Sequence, residues 1–231
     1  MPAGASLLAR TGKVLIGVAL LPFCAGFSWQ LASILLDISY KPLVPYWFAG
    51  GFLSYVGMHL LFKKPILSYV VGHELTHALF ALLFGGSVKA FHASERGGQV
   101  QITKSNFIIT LAPYFFPLYT FIALGAYGLA RAADAPMLEP WLVLLAGATF
   151  AFHVILTFIF LQTDQNDIAE HGAFFSYPLI FLFNILLTAL LVRFLLAQDM
   201  SYLRFLVDGI MRSIGIMVTG FGIIYGLVER P

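Results

Sequence analysis

Long apolar runs separated by short polar segments make up most of this chain. A helix needs about 20 consecutive apolar residues to cross the hydrocarbon core of a bilayer. Seven runs approach or exceed that length, and the last is less regular than the others: 14–36, 43–62, 65–84, 107–130, 141–162, 173–197 and 202–228. The pattern therefore predicts an all-α polytopic membrane protein with six or seven transmembrane helices.

The interval between the third and fourth runs has a different pattern. Gly85 and Gly86 follow the third run, and glycine commonly ends a helix. Residues 87–92 and 99–103 then alternate between polar and apolar positions on either side of a Ser-Glu-Arg-Gly-Gly segment. Alternation flanking a glycine-containing turn is typical of a β-hairpin. We predict a small β-hairpin insertion over about residues 87–103.

Composition narrows the class of protein. Hydrophobic residues make up 60% of the 231 residues and charged residues 10%, a balance that a soluble domain does not tolerate. We predict one integral-membrane domain over residues 1–231, multi-pass, in the cell membrane or an inner membrane and in contact with the lipid bilayer. The net charge is +2 and the basic residues are scattered, which argues against a nucleic-acid partner. Cys24 is the single cysteine, which excludes an intrachain disulfide and a cysteine-based metal site.

The third apolar run contains the motif His-Glu-x-x-His. His73 and His77 are four residues apart, so their imidazoles share one helical face and can bind one Zn²⁺. Glu74 lies between them in the sequence and can act as the general base on a water molecule. Ionisable side chains in an apolar helix are costly in lipid, so they indicate function. The motif predicts a zinc-dependent hydrolase.

The motif and its surroundings resemble a known family. His-Glu-Leu-Thr-His in a membrane helix, the immediate Gly-Gly, the short hairpin and a further helix are together similar to the site-2-protease-like intramembrane metalloproteases, the M50 group. The resemblance covers about residues 65–183, which is the predicted catalytic region. It implies a metallo-endopeptidase that cleaves membrane-protein substrates in or near their transmembrane segments. It also implies that the two motif histidines and an aspartate from a later segment hold the zinc, with the motif glutamate as general base.

Three residues are candidates for the third zinc ligand, because catalytic zinc normally keeps three protein ligands and one open position. Asp164 and Asp167 follow the fifth apolar run, and His153 lies within it. The resemblance favours a carboxylate, and Asp167 lies at a distance from the motif similar to that of the family's aspartate. We therefore predict His73, His77 and Asp167 as metal ligands, with Asp164 and His153 as the alternatives.

Other functions remain open from the sequence. A noncatalytic zinc-binding scaffold would keep the two histidines without depending on Glu74. A membrane metalloprotease with a different third ligand would need a well-placed downstream acid, such as a glutamate. Pro113 and Pro117 also lie within the fourth run, where they remove two backbone donors and should kink or open the helix.

Overall fold

A computed structural model describes residues 7–37, 43–163, 165–196 and 199–228, with side chains excepted at residue 37 and beyond residue 220. The described chain is mainly helical and contains one two-stranded sheet. Its elements are α1 Leu7–Asp37, α2 Val44–Leu61, α3 Ile66–Leu83, β1 Val88–Ser94, β2 Gly97–Ile102, α4 Phe107–Leu111, a 3₁₀ turn Ala112–Tyr114, α5 Leu118–Ala132, α6 Glu139–Leu161, α7 Asn166–His171, α8 Ala173–Leu195 and α9 Tyr202–Val228. The helical class and the small hairpin predicted from the sequence are confirmed.

The predicted number of membrane spans is too high. Among the described residues, four helices are long and apolar enough to cross a membrane, or up to five if the bent pair α4–α5 counts as one span. The four single-helix candidates are Leu7–Leu36, Ile66–Leu83, Glu139–Leu161 and Ala173–Leu195.

The two remaining predicted spans form helices that fall outside this set. α2 has 18 residues, and its apolar character is reduced by glycines and by Pro45, Trp47 and His59. In α9, three charged residues occupy the first half: Arg204, Asp208 and Arg212. Run length alone predicted the helices, but not which of them are apolar enough to span.

The single domain predicted over residues 1–231 contains two compact units. One unit comprises Met1–Tyr40 and Ala169–Pro231 and includes α1, α8 and α9. The other comprises Lys41–Ile168 and includes α2 to α6, the hairpin and the first residues of α7.

Close contact between α2 and α6 organises the larger unit. A Cβ atom built on Gly51 would lie 1.8 Å from the backbone oxygen of Leu144, and one built on Gly147 would lie 2.0 Å from that of Phe48. Glycine at both positions lets the two backbones approach, as small residues do between membrane helices. α6 also packs against α5, and it contacts α3 where the ring of Tyr69 stacks on that of Phe160 with centroids 4.3 Å apart.

The hairpin follows α3 directly. Gly85 adopts a φ of +72°, and the N–H of Gly86 donates to the carbonyl of Ala81 over 2.7 Å. This left-handed cap ends α3 as the Gly-Gly pair predicted. β1 and β2 are antiparallel, with Phe91 opposite Val100 and an irregularity in the pairing between Val88 and Ala90.

The fourth apolar run is broken, as its two prolines predicted. α4 ends at Leu111, a 3₁₀ turn follows, and the pair formed by α4 with the turn and α5 is bent by 78°. Asn106 caps α4 by accepting from the N–H groups of Ile108 and Ile109 over 2.9 Å each. The break leaves backbone carbonyls without helical partners beside α3.

Candidate metal centre

The structure brings His73, His77 and Asp167 together. Nε2 of His73 lies 3.3 Å from Oδ2 of Asp167, and Nε2 of His77 lies 3.4 Å from the same oxygen. One ligand atom from each residue lies within 4.8 Å of the others, an arrangement that could hold a metal ion. All three side chains are mostly buried, with 13%, 10% and 24% of their surfaces exposed, respectively.

Local structure explains how these residues meet. His73 and His77 are one helical turn apart on α3, so they present their rings on the same face. Asp167 lies in the first turn of α7. Its approach to α3 depends on the fold, because 90 residues separate it from His77 in the sequence (167 − 77).

A proline on another helix orients His77. Nδ1 of His77 lies 2.9 Å from the carbonyl oxygen of Ile109, which can only accept, so Nδ1 carries the proton. In a regular helix the carbonyl of Ile109 would accept from residue 113, but Pro113 has no N–H. The helix break therefore supplies the acceptor that fixes the tautomer of His77 and turns Nε2 toward Asp167.

The chemistry of these atoms fits a bound cation. With Nδ1 protonated, neutral His77 has a lone pair on Nε2, and that lone pair faces a carboxylate oxygen at 3.4 Å. Two acceptors at this distance require a proton or a metal ion between them. Zinc bonds of about 2.0–2.1 Å at tetrahedral angles place neighbouring ligand atoms about 3.3–3.4 Å apart. The two measured distances to Asp167 agree with that spacing.

Tyr114 positions the carboxylate of Asp167, and sequence reasoning missed it. The Tyr114 side chain is fully buried in the 3₁₀ turn, and its ring packs edge-on against His73 with centroids 5.1 Å apart. Its hydroxyl donates to Oδ2 of Asp167 over 2.9 Å and also lies 3.1 Å from Oε1 of Gln165. Tyr114 follows Pro113 in the predicted helix break, and that is the only signal in the sequence that points to it.

The electrostatics of Asp167 agree with its role as an anionic partner of the histidines. Burial by itself would raise the pKa of Asp167. When His73 and His77 are protonated, their hydrogen bonds and positive charge outweigh burial and hold the pKa of this carboxyl below its usual range. Asp167 is therefore ionised at neutral pH, which is the form that binds metals.

Glu74 lies between the ligands and the hairpin. Only 7% of its surface is exposed, and it interacts electrostatically with His73, His77 and Asp167. On the hairpin side, the backbone N–H of Val100 faces its carboxylate. A Cβ built on Gly98 would lie 2.6 Å from Cγ and 2.8 Å from Oε1 of Glu74. Glycine at position 98 therefore lets β2 lie directly over the glutamate.

The alternative third ligands are placed differently. His153 is buried on α6 and shares a cavity of about 20 Å³ with His73, but it is not part of the metal-binding cluster. Asp164 lies outside the described residues. Among the described candidates, Asp167 is the one whose oxygen reaches both histidines.

No protein-family model, no curated protein and no solved structure matches this chain. Fold and site define its class: a helical protein with apolar helices of membrane-spanning length and a cluster that could hold a metal ion.

Proposed function

We propose that this chain is a zinc-dependent intramembrane endopeptidase of the site-2-protease-like kind. The observation that carries the proposal is the cluster of His73, His77 and Asp167, with Glu74 buried beside it. The histidines and Glu74 lie on α3, which is apolar and long enough to cross a membrane. A hydrolytic centre on a membrane-spanning helix would act on peptide bonds in or near the transmembrane segments of other membrane proteins.

Each residue has a separate part in the proposed reaction. His73, His77 and Asp167 would hold zinc and leave one coordination position open for water or substrate. Bound zinc would supply Lewis acidity, which lowers the pKa of water and polarises the scissile carbonyl. The Glu74 carboxylate takes a proton from the attacking water and gives it to the leaving amide nitrogen as the C–N bond breaks. Tyr114 keeps the Asp167 carboxylate in place by hydrogen bonding.

The hairpin supports the choice of a peptide substrate. Val100 pairs with Phe91 in the hairpin, and its N–H is directed to Glu74. The edge of β2 that faces Glu74 is therefore the edge not paired with β1. An extended peptide that pairs with this edge would have its backbone beside the glutamate, and strand pairing would stabilise an unwound substrate segment.

The test is to measure zinc content and proteolysis on the same purified samples of wild type and variants. The substrate is a detergent-solubilised single-span protein whose apolar segment carries an Asn-Pro pair as a helix breaker. We expect Glu74→Gln to abolish cleavage while retaining zinc, because the base is lost and the ligands remain. His73→Ala and His77→Ala should lose both zinc and cleavage.

Glu95→Gln is the matched control, since Glu95 is exposed at the hairpin turn. It should keep wild-type zinc content and cleavage. Full proteolysis by Glu74→Gln would overturn the role of Glu74. Stoichiometric zinc without cleavage by wild type would favour a noncatalytic zinc-binding scaffold.

A further inference from the structure

The smaller unit contains a polar cluster that the proposed protease does not use. Gln30 lies on α1 and is 6% exposed, although α1 is apolar and long enough to cross a membrane. Its Oε1 accepts from Nε of Arg212 over 2.6 Å, and its Nε2 donates to Oδ2 of Asp208 over 3.4 Å. A buried glutamine on an apolar helix is costly unless it is hydrogen-bonded, and here both ends of its amide are bonded to charged residues of α9.

The guanidinium of Arg212 is held in a defined position. Its carbon lies 5.4 Å from the centre of the Trp29 ring, and the bond to Gln30 fixes its Nε–H. The backbones of α1 and α9 meet here, since a Cβ on Gly26 would lie 2.7 Å from the N atom of Ser213. The hydrogen bond to Gln30 uses one of five N–H donors and leaves the two terminal amino groups for a ligand.

An apolar groove begins at this guanidinium. It has a volume of about 500 Å³ and is lined by Trp29, Arg212, Gly215, Ile216, Thr219 and Gly220. The eight-residue step from Arg212 to Gly220 corresponds to about 12 Å along a helix. One leaflet contributes about 15 Å to the hydrocarbon core of a bilayer. The groove therefore has the length of an acyl chain within one leaflet.

We propose that this groove binds an anionic phospholipid, with the phosphate on Arg212 and an acyl chain along Gly215 to Gly220. The fixed guanidinium forms strong hydrogen bonds to phosphate oxygens, and its positive charge favours a headgroup that carries no cation of its own. Trp29 is 61% exposed beside it, as expected for an aromatic residue at the membrane interface. Among the described residues, Asp208 forms no ion pair with Arg212: its carboxylate is 3.8 Å from Nε of Arg204 and is linked to Arg212 through Gln30.

The test measures lipid binding to the full, detergent-solubilised chain by native mass spectrometry. The probes are dioleoylphosphatidylglycerol, dioleoylphosphatidylcholine and glycerol 3-phosphate. We expect wild type to bind phosphatidylglycerol more tightly than phosphatidylcholine, because both lipids carry a phosphate but the choline cation of phosphatidylcholine is repelled by the Arg212 guanidinium. Glycerol 3-phosphate should bind far more weakly than either lipid, since it lacks the acyl chains.

Two variants locate the site, and each has a matched control. Arg212→Gln should lower phosphatidylglycerol affinity about tenfold, whereas Arg204→Gln should not, because Arg204 is 84% exposed and lies outside the groove. Gly215→Leu should also lower the affinity, because a Cβ at Gly215 meets nothing within 4 Å and a leucine side chain would fill the groove. Gly12→Leu is its control, since Gly12 also has open space but does not line the groove.

Four results would overturn the proposal. They are equal binding of the two phospholipids, binding of glycerol 3-phosphate as tight as that of phosphatidylglycerol, equal losses in Arg204→Gln and Arg212→Gln, and wild-type affinity in Gly215→Leu. If Arg212→Gln does not fold, Gly215→Leu and the lipid preference of wild type decide the question. Proteolysis is not measured, so the result does not depend on the proposed function.

Discussion

At the scale of single residues, one carboxylate oxygen organises the candidate metal centre. Oδ2 of Asp167 lies within 3.4 Å of an imidazole nitrogen of His73, an imidazole nitrogen of His77 and the hydroxyl of Tyr114. Each neighbour contributes differently: the imidazole nitrogens can share a metal ion with the oxygen, and the hydroxyl donates a hydrogen bond to it. Variants at Asp167 and at these neighbours therefore test how zinc is held.

Metal retention should rank the three candidates for the third ligand. We expect Asp167→Asn to release zinc more readily than Asp164→Asn or His153→Asn does, since a carboxylate that reaches both histidines contributes strongly to affinity. Titration with a competing chelator on purified variants measures this. Stoichiometric zinc in Asp167→Asn together with loss in either other variant would show that the assignment is wrong.

Tyr114 should affect metal affinity through Asp167. Removing a hydrogen bond to a metal ligand typically costs about 10–100-fold in affinity or activity, so we expect Tyr114→Phe to weaken zinc binding by that factor. Tyr119→Phe is the control, because the hydroxyl of Tyr119 donates to the backbone oxygen of Ser68 over 2.8 Å and is bonded to no ligand. The same chelator titration applies, and equal affinities of the two variants would remove Tyr114 from the metal centre.

At the scale of elements, the break between α4 and α5 and the β-hairpin orient the side chains of the candidate metal centre. At this break, α4 presents the carbonyl of Ile109 to His77, and the 3₁₀ turn that follows presents the hydroxyl of Tyr114 to Asp167. β2 covers Glu74 through Gly98 and Val100. Neither element carries a predicted metal ligand, yet both determine how the motif residues are oriented.

Substitutions at Val100 test whether the hairpin takes part in cleavage. Val100→Pro deletes the N–H that contacts Glu74 and lies on the proposed docking edge. We expect it to impair cleavage while zinc content and thermal unfolding stay near wild type. Val100→Ala keeps the amide and should be milder. Cleavage by Val100→Pro at the wild-type rate would leave the hairpin as a structural connector.

At the scale of the whole molecule, glycine contacts determine how closely helices pack within each unit. Gly51 and Gly147 allow the contact of α2 with α6, and Gly26 allows that of α1 with α9. Helices in lipid gain little from hydrophobic burial against one another, so close van der Waals contact contributes much of their association. Substituting such a glycine should lower stability even without any change at the metal centre.

The adjacent glycines Gly50 and Gly51 allow this loss of stability to be measured. Gly51→Ala would place a methyl group against the backbone of Leu144, so we expect a loss of about 1–3 kcal/mol in the free energy of unfolding, the usual cost of overpacking. Gly50 has nothing within 4 Å of an added Cβ, and Gly50→Ala should be neutral or slightly stabilising. Unfolding of both variants in detergent gives the comparison. A Gly51→Ala protein as stable as Gly50→Ala would show that the backbones need not approach so closely.

The amino-acid sequence by itself determined the features that depend on neighbouring residues. Apolar run length predicted the helices, alternation around Gly97 and Gly98 predicted the hairpin, and Pro113 and Pro117 predicted the break. The spacing of His73 and His77 placed both rings on one helical face. These features follow from backbone geometry over a few residues, so one sequence suffices to derive them.

Only the tertiary structure determined which residues from distant parts of the sequence contact the motif. The approach of Asp167 to the motif, the hydroxyl of Tyr114 on that carboxylate and the carbonyl of Ile109 behind His77 all join separate segments. The number of spanning helices was overestimated for a related reason, because run length does not weigh the polar and charged residues within α2 and α9. Contacts between separate segments depend on how all the helices pack together, and local patterns in one sequence do not specify that packing.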